Sequence, residues 1–167
     1  ADEAKLSRIA QTFDGSLPEV PANPGRHLFI IGMPRSGTTL TERILGGLSG
    51  VRSNNETNNF STALLSVASQ VGDVFLNCAV ADPAKVAREY DRLAILDDFA
   101  GKVIEKLPFN YLYVGAIWRA FRGGPIVWVR RNPIDSCFAM FRTLFGAAYP
   151  FSYDFADLAR YYAAYQR

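Results

Sequence analysis

The sequence predicts a three-layer α/β/α domain with a central parallel sheet, and three observations support this fold class. Short apolar runs, typical of buried strands, alternate with longer segments whose apolar residues recur at helical spacing. Each run leads into a loop marked by Gly, Pro or Asn and then into a helix, which is the pattern of βαβ units. The chain has 167 residues and is 49% apolar, so it can bury the core of one ordinary domain.

Apolar runs at 28–31, 103–106 and 126–129 are the predicted strands. Helices are expected over 38–48, 60–71, 84–96 and from 108 to the glycine pair at 123–124, where glycine can end a helix in the left-handed conformation. A further helix should begin after Asn132, an N-cap residue followed by Pro133. Its predicted buried stripe is Ile134, Phe138, Phe141 and Phe145.

The chain divides into residues 1–26 and 27–167. The first part combines a short helix, indicated by Leu6, Ile9 and Phe13 at helical spacing, with a Pro-rich linker over 15–26. The second part is the compact domain, and its aromatic tail is expected to pack onto the sheet. Because a helical pattern runs up to Arg167 without a capping residue or a breaker, we expect the domain to be truncated at its C-terminus.

Composition excludes several classes of protein. The 18 Lys and Arg residues against 16 Asp and Glu residues leave a net charge of +2, which gives no field for nucleic acid. No apolar stretch approaches the roughly 20 residues of a membrane span, and the first residues lack the order of a signal peptide, so a cytoplasmic location is expected. Cys78 and Cys137 form no metal motif and are expected to be reduced thiols of the core.

Each predicted strand runs directly into a cation. Arg35 follows the first strand, Lys106 ends the second, and the pair Arg130 and Arg131 follows the third. Because the carboxyl ends of parallel strands meet at one edge of a sheet, where ligands of such folds bind, these cations should converge there. A ligand with two or more negative charges is implied.

The loop after the first strand has the glycine spacing of a phosphate-binding P-loop. In residues 32–39, GMPRSGTT, the backbone N–H groups of Ser36, Gly37, Thr38 and Thr39 are expected to point at an anion. A nucleoside triphosphatase carries Lys where this chain has Thr38, and here the cation lies inside the loop, at Arg35. A P-loop kinase or NTPase is therefore the less favoured alternative.

Three motifs in this order, PRSGTTL, KLPFNYLYVG and VRRNPIDSCFAMF, resemble those of sulfotransferases that use 3′-phosphoadenosine 5′-phosphosulfate. The chain is most similar to the bacterial enzymes linked to tetratricopeptide repeats and more distantly to tyrosylprotein sulfotransferases. The resemblance implies a fold like that of P-loop nucleoside-triphosphate hydrolases, the phosphosulfate as donor without a metal, and an acceptor hydroxyl or amine on a small molecule or peptide. It also implies helical repeats upstream in a longer parent protein.

The resemblance assigns roles to individual residues. Donor-binding positions around the 5′-phosphosulfate are Arg35, Ser36, Gly37, Thr38 and Thr39. Arg35 and Lys106 would stabilise the charge that builds up during transfer. Glu56, which lies 56 − 35 = 21 positions after Arg35, matches the spacing of the glutamate base in tyrosylprotein sulfotransferases; an exposed loop glutamate or a helix cap is the alternative. His27, the single histidine, is interpreted as structural.

The third motif matches the segment that binds the 3′-phosphate, and Arg131 is the corresponding arginine. The family's serine eight positions later is Ala139 here, and Ser136, one helical turn earlier, is the candidate substitute. Asp135 is expected to reach back to the backbone N–H of the cap residue Asn132. With this hydroxyl missing, a non-catalytic nucleotide-binding or scaffold module derived from a sulfotransferase is the second hypothesis.

Overall fold

A computed structural model describes residues 2–13, 15–69, 71–95 and 97–166. Within these residues, four parallel strands form one sheet in the order β2-β3-β1-β4. The strands are β1 (His27–Ile31), β2 (Val51–Ser53), β3 (Lys102–Lys106) and β4 (Ile126–Trp128). The α-helices are α1 (Asp2–Thr12), α2 (Thr38–Gly46), α3 (Asn59–Val67), α4 (Val74–Val80), α5 (Pro83–Ala94), α6 (Val114–Ala120), α7 (Pro133–Phe141) and α8 (Phe155–Tyr165). Short 3-10 helices cover Pro108–Tyr113 and Pro150–Tyr153.

The two faces of the sheet carry different helices. Phe29 of β1 lies beside Glu105 of β3, and Ile30 lies beside Lys106, so the strand alternation sends these pairs to opposite faces. The face of Phe29 packs against α3, α5 and α6, whereas the face of Lys106 meets α2 through Glu42. Helices therefore flank a central parallel sheet on both sides, and the predicted α/β fold class is confirmed.

The core consists of two apolar clusters. The first joins β1 to α3, α5 and α6 around Phe29, Phe60 and Tyr90. The second joins the end of β1 to α1, α7 and α8, and it contains Phe151 stacked on Tyr161 with 3.6 Å between ring centroids. The aromatic tail thus packs against the sheet, as its composition predicts.

The strand β2 and the helix α4 are absent from the sequence prediction. β2 has three residues, Val51–Ser53, with a charged residue at its centre, so it offers no apolar run. It forms because it pairs with β3 at the sheet edge. The predicted helix from 108 begins instead as a 3-10 turn and becomes α6 only at Val114, and α3 ends at Val67 rather than 71. The predicted end of α5 at Leu96 lies outside the described residues.

The predicted buried stripe of α7 is wrong. Ile134 is 78% exposed, Phe138 is 50% exposed, and Phe141 stacks at the surface on Phe155 of α8 with centroids 3.9 Å apart. Only Phe145, beyond the end of α7, packs against the core. The inner face carries Ser136 and Met140 instead. Helical spacing shows which residues of α7 share a face, but two of its faces carry apolar residues. The contact with α8 determines that the face with Met140 is the buried one.

The described residues of the N-terminal part, 2–13 and 15–26, include several that pack against the remainder of the chain. Leu6 of α1 is buried in the second cluster with residues of α8. The Pro-rich segment runs along α6, where Arg119 donates a hydrogen bond of 2.7 Å to the carbonyl of Pro18, and the Asn23 N–H donates one of 2.9 Å to that of Arg122. A search of the described residues for helices long and apolar enough to cross a membrane finds none.

The different exposure of two phenylalanines can be measured as stability. Phe60→Ala should lower the free energy of unfolding by ~3–5 kcal/mol, because Phe60 is fully buried in the first cluster. Phe138→Ala should cost less than about 1 kcal/mol, because half of that side chain is already in water. Urea unfolding of the two variants beside the wild type measures both values. Equal losses would mean that α7 buries the face of Phe138 after all.

Candidate anion-binding site

The loop that joins β1 to α2 lies close to the segment that follows β4. A Cβ atom at Gly32 would lie 2.6 Å from the carbonyl oxygen of Val129, so only glycine allows this approach. The Val129 N–H also donates a hydrogen bond of 2.9 Å to the carbonyl of Ile31. These contacts bring the loop of Arg35 next to the segment that carries Arg130 and Arg131.

Arg35 combines exposure with an unusual backbone. Its φ angle is +67°, in the left-handed region that residues other than glycine seldom adopt. Such a conformation costs on the order of 1–3 kcal/mol and is found mostly at ligand sites. The loop therefore holds a solvent-facing cation in place at the expense of backbone strain.

The hydroxyl of Ser36 is buried and has no hydrogen-bond partner among the residues that the structure describes. It lies against the loop interior, because a Cβ atom at Gly32 would come within 3.0 Å of it. The Ser36 N–H, which the sequence predicts to face an anion, donates instead to the carbonyl of Met33 at 3.2 Å. An unpaired buried hydroxyl is costly, and a phosphate or sulfate oxygen in the loop would satisfy it.

The first turn of α2 has no side-chain cap. Its N-cap is Gly37, at φ +110°, and its first turn carries no acidic residue. Thr38 is buried and Thr39 is exposed at this end. The positive end of the helix dipole and its backbone N–H groups thus remain uncompensated, which favours an anion.

Lys106 lies at the end of β3, as predicted, and its side chain is almost entirely buried. Its ammonium group forms two ion pairs, one of 3.2 Å with Glu42 of α2 and a closer one with Glu56. The side chain of Glu42 is 8% exposed and that of Glu56 is 54% exposed. Lys106 is therefore held between an inner and an outer carboxylate.

Sequence reasoning missed Glu42. It lies one helical turn after Thr38, and these two are the buried residues of α2. Its carboxylate also accepts a hydrogen bond from the hydroxyl of Ser53, at the end of β2. The sequence signal for Glu42 was an acidic residue one helical turn after Thr38. It was not recognised because β2, the strand that carries its partner Ser53, was not predicted.

The loop that carries Glu56 is fixed on both sides. Asn54 donates from its side chain to the carbonyl of Ala94 at 2.8 Å. Asn55 adopts a left-handed conformation with φ +61°. The hydroxyl of Thr57 donates to Glu105 at 2.8 Å. The N-cap of α3 is Asn58, so Glu56 does not cap that helix, and its side chain points to Lys106.

Glu105 is a fully buried carboxyl beneath this loop. It accepts hydrogen bonds from Thr57 and, at 3.0 Å, from the hydroxyl of Tyr90. Burial raises the pKa of Glu105 to about 7, although the bonds from Thr57 and Tyr90 lower it. Burial, together with the nearby Glu105 carboxyl, raises the pKa of Tyr90 well above its usual range. Sequence reasoning missed this residue too, because an acid inside a strand run gives no signal of its partners.

The third motif leaves its two arginines at the surface. Arg131 forms an ion pair of 3.7 Å with Asp135, which therefore does not reach back to the Asn132 N–H as predicted. Asn132 is the N-cap of α7, as expected, and accepts from the N–H groups of Ile134 and Asp135 at 2.9 and 3.3 Å. Arg130 lies over the ring of Trp128. Ser136 faces inward and is 1% exposed.

His27 lies at the opposite end of β1 from these groups. It is buried, its Nε2 atom is 2.5 Å from Asp91, and its ring packs edge-on against Tyr90 and Phe121. This environment agrees with a structural role. Cys78 and Cys137 are free and half-buried, and burial raises the pKa of both thiols.

An apolar cavity of about 810 Å³ lies away from the charged groups, between α1, α6, β4 and α8. Trp118, Trp128 and Tyr165 line it, and Arg35, Glu56 and Lys106 do not. In the part of the chain that the structure describes, no group of three or more His, Cys, Asp or Glu side chains could hold a metal ion. The charged residues at the sheet edge are thus the candidate site.

Comparison with known proteins identifies the family. A family model described as "Sulfotransferase family" matches residues 27–167. An uncharacterized protein of Aquifex aeolicus (strain VF5) is 35% identical over 133 residues, which cover 73% of this chain and 18% of that protein. The chain thus spans less than a fifth of the length of this curated relative. No solved structure matches the chain.

The buried carboxyl of Glu105 predicts a pH dependence of stability. Its pKa rises from 4.5 to about 7 on folding, so between these values the folded chain holds a proton that the unfolded chain has lost. The free energy of unfolding should therefore fall by roughly 3 kcal/mol as the pH rises through this window, and level off above it. Glu105→Gln should remove this loss. Urea unfolding at pH 5, 6, 7 and 8 tests the difference, and identical slopes in both proteins would contradict it.

Proposed function

Because this chain belongs to the sulfotransferase family, we propose that it transfers a sulfuryl group from 3′-phosphoadenosine 5′-phosphosulfate to a hydroxyl or amine acceptor. The family generally uses this donor. The observation that carries the proposal is the arrangement at one sheet edge of a P-loop with an internal arginine, a buried lysine and a glutamate in contact with that lysine. This arrangement provides anion binding and a base together.

The P-loop is the proposed site of the 5′-phosphosulfate. The unpaired hydroxyl of Ser36 and the uncapped N-terminus at Gly37, Thr38 and Thr39 supply hydrogen-bond donors. Arg35 adds a cation at the mouth of the loop. Because Thr38 stands where a nucleoside triphosphatase has lysine, this loop suits a donor whose charge is balanced by Arg35 rather than by Mg²⁺.

Arg131 is the proposed ligand of the 3′-phosphate. Its pair with Asp135 is exposed and long, at 3.7 Å, and such pairs contribute at most about 1 kcal/mol, so a phosphate can replace the carboxylate. Ser136, the substitute proposed for the missing hydroxyl at Ala139, is buried, which makes it the weaker of the two proposed contacts.

The proposed reaction is an in-line displacement at sulfur. The acceptor oxygen or nitrogen forms a bond to sulfur while the bond from sulfur to the bridging oxygen breaks, and adenosine 3′,5′-bisphosphate leaves with that electron pair. Arg35 and Lys106 stabilise the charge on the bridging and sulfuryl oxygens. Glu56 takes the proton of the acceptor hydroxyl or amine as the bond to sulfur forms, because the acceptor is a better nucleophile when it loses that proton.

Glu56 is suited to this role by its position. It is half-exposed, which leaves it open to an acceptor, and it contacts Lys106, the lysine proposed to stabilise the transferring group. The proposed acceptor is a small molecule or peptide, and helical repeats are proposed to lie upstream in a longer parent protein. Two free thiols agree with the reducing cytoplasm as its compartment.

Calorimetric titration with adenosine 3′,5′-bisphosphate tests the donor site. The wild type should bind the bisphosphate and should bind Mg·ATP at least tenfold more weakly. Arg35→Ala should reduce affinity for the bisphosphate by roughly ten- to one-hundredfold, the loss expected for a charged hydrogen bond to phosphate. Arg88→Ala, which removes an exposed arginine of α5, is the matched control and should bind as the wild type does.

Two other results, one from this titration and one from a turnover assay, would favour the alternative functions. Selective binding of Mg·ATP would refute the donor assignment and favour the P-loop kinase or NTPase. Binding of the bisphosphate without any turnover of the phosphosulfate would favour the non-catalytic binding module.

Glu56→Gln separates the base from the binding site. The substitution keeps size and hydrogen bonding but removes the proton acceptor, so formation of bisphosphate from the phosphosulfate, with p-nitrophenol as acceptor probe, should fall by roughly 10²–10⁴-fold. Affinity for the bisphosphate should be retained or improved, because a negative charge leaves the site. Unchanged turnover would exclude Glu56 as the base.

A further inference from the structure

The inner carboxylate at Lys106 has no part in the reaction proposed above, yet it is the better-buried of the two. Glu42 is 7% exposed and contacts both the Lys106 ammonium and the Ser53 hydroxyl. Three elements, α2, β2 and β3, therefore meet at this one carboxylate. A buried acid that stays charged in such a place must be paired with a neighbouring charge, because an unpaired charge there destabilises the fold.

The charges around Lys106 do not balance. One ammonium group faces two carboxylates, Glu42 and Glu56, so the group carries a net charge of −1 before any donor arrives. Arg35 is exposed and is not one of the charged groups paired in this cluster. A second carboxylate beside the proposed anion site repels a bound anion, so its presence there calls for an explanation.

The two carboxylates differ in what holds them. Glu42 is fixed by α2, by Ser53 and by burial, whereas Glu56 is half-exposed and contacts Lys106. Glu42 is thus the permanent partner of the lysine, and Glu56 is the one that water or an acceptor can reach. If Glu42 neutralises Lys106, Glu56 can take a proton without leaving a buried ammonium unpaired.

We infer that Glu42 is a positioning residue, the fixed counter-ion of Lys106 that leaves Glu56 free to act as the base. This inference rests on the proposed function for its catalytic consequence but not for the pairing itself. Without Glu42, Glu56 would become the only carboxylate on the buried ammonium. It would then be held on the ammonium and would be less available to an acceptor.

Glu42→Gln therefore has two opposite effects. The site loses one negative charge, so adenosine 3′,5′-bisphosphate should bind about fivefold more tightly, as a removed like charge several ångströms away predicts. Turnover of bound phosphosulfate, with p-nitrophenol as the probe, should fall about tenfold because Glu56 is then held on the Lys106 ammonium and is less available to the acceptor. A merely structural role for Glu42 would instead weaken binding and turnover together.

Matched variants keep the test decisive. Glu89→Gln removes a partly exposed glutamate of α5 that pairs with Arg92 and should change neither value. Glu42→Asp keeps the charge, so its bisphosphate affinity should stay at the wild-type level and its turnover should exceed that of Glu42→Gln. If Glu42→Gln does not fold, Ser53→Ala, which removes the hydroxyl that orients Glu42, should show the loss of turnover in milder form with no loss of affinity.

A direct measurement of the lysine tests the pairing without any nucleotide. The sequence has four lysines, at 5, 85, 102 and 106, so NMR of ¹³Cε-labelled lysine gives few signals, and Lys106→Arg assigns the relevant one. Glu42→Gln should shift and sharpen the Lys106 signal more than Glu56→Gln does, because Glu42 is the fixed partner.

The outcomes separate the inference from the proposed function. A larger effect of Glu56→Gln on the Lys106 signal, or parallel losses of affinity and turnover in Glu42→Gln, would overturn the inference. If the wild type binds no bisphosphate, the proposed function fails, and the NMR comparison still decides whether Glu42 is the counter-ion.

Discussion

The buried ammonium of Lys106 is the constraint on which the candidate site depends. An unpaired charge at this depth would cost several kcal/mol, so the chain must bring carboxylates to it. Glu42 comes from α2 on one face of the sheet, and Glu56 comes from the loop after β2. Satisfying one charge therefore fixes the packing of α2 against the sheet and the position of an edge strand that has only three residues.

The loop that joins β1 to α2 is built in the opposite way, from groups that have no partner among the described residues. Its arginine lies in a strained backbone conformation, its serine hydroxyl is buried and unpaired, and the helix behind it lacks a side-chain cap. Each of these features costs stability. Such a loop, with a strained backbone and with donors that no described residue binds, lies next to the paired charges of Lys106. Donors held in place before a ligand arrives are a property expected of an anion-binding site.

Much of the site could be read from the linear sequence because its motifs are local. A strand, a glycine loop and a helix in succession place Arg35, and the end of an apolar run places Lys106. Asn132 caps α7 as its residue type indicates. The orientation of α7 could not be read in this way, because both of its faces carry apolar residues and contact with α8 decides which one is buried.

The α/β class, the cations at the strand ends and the family resemblance can all be read from the linear sequence, because they depend on residue types at short spacings. Which acids meet Lys106 depends instead on how the chain folds. Glu42, Ser53 and Glu105 gain their partners across strands and helices that are far apart in the chain. Such long-range pairings have no periodic signal, because a charge is satisfied by whichever group the fold brings within a few ångströms.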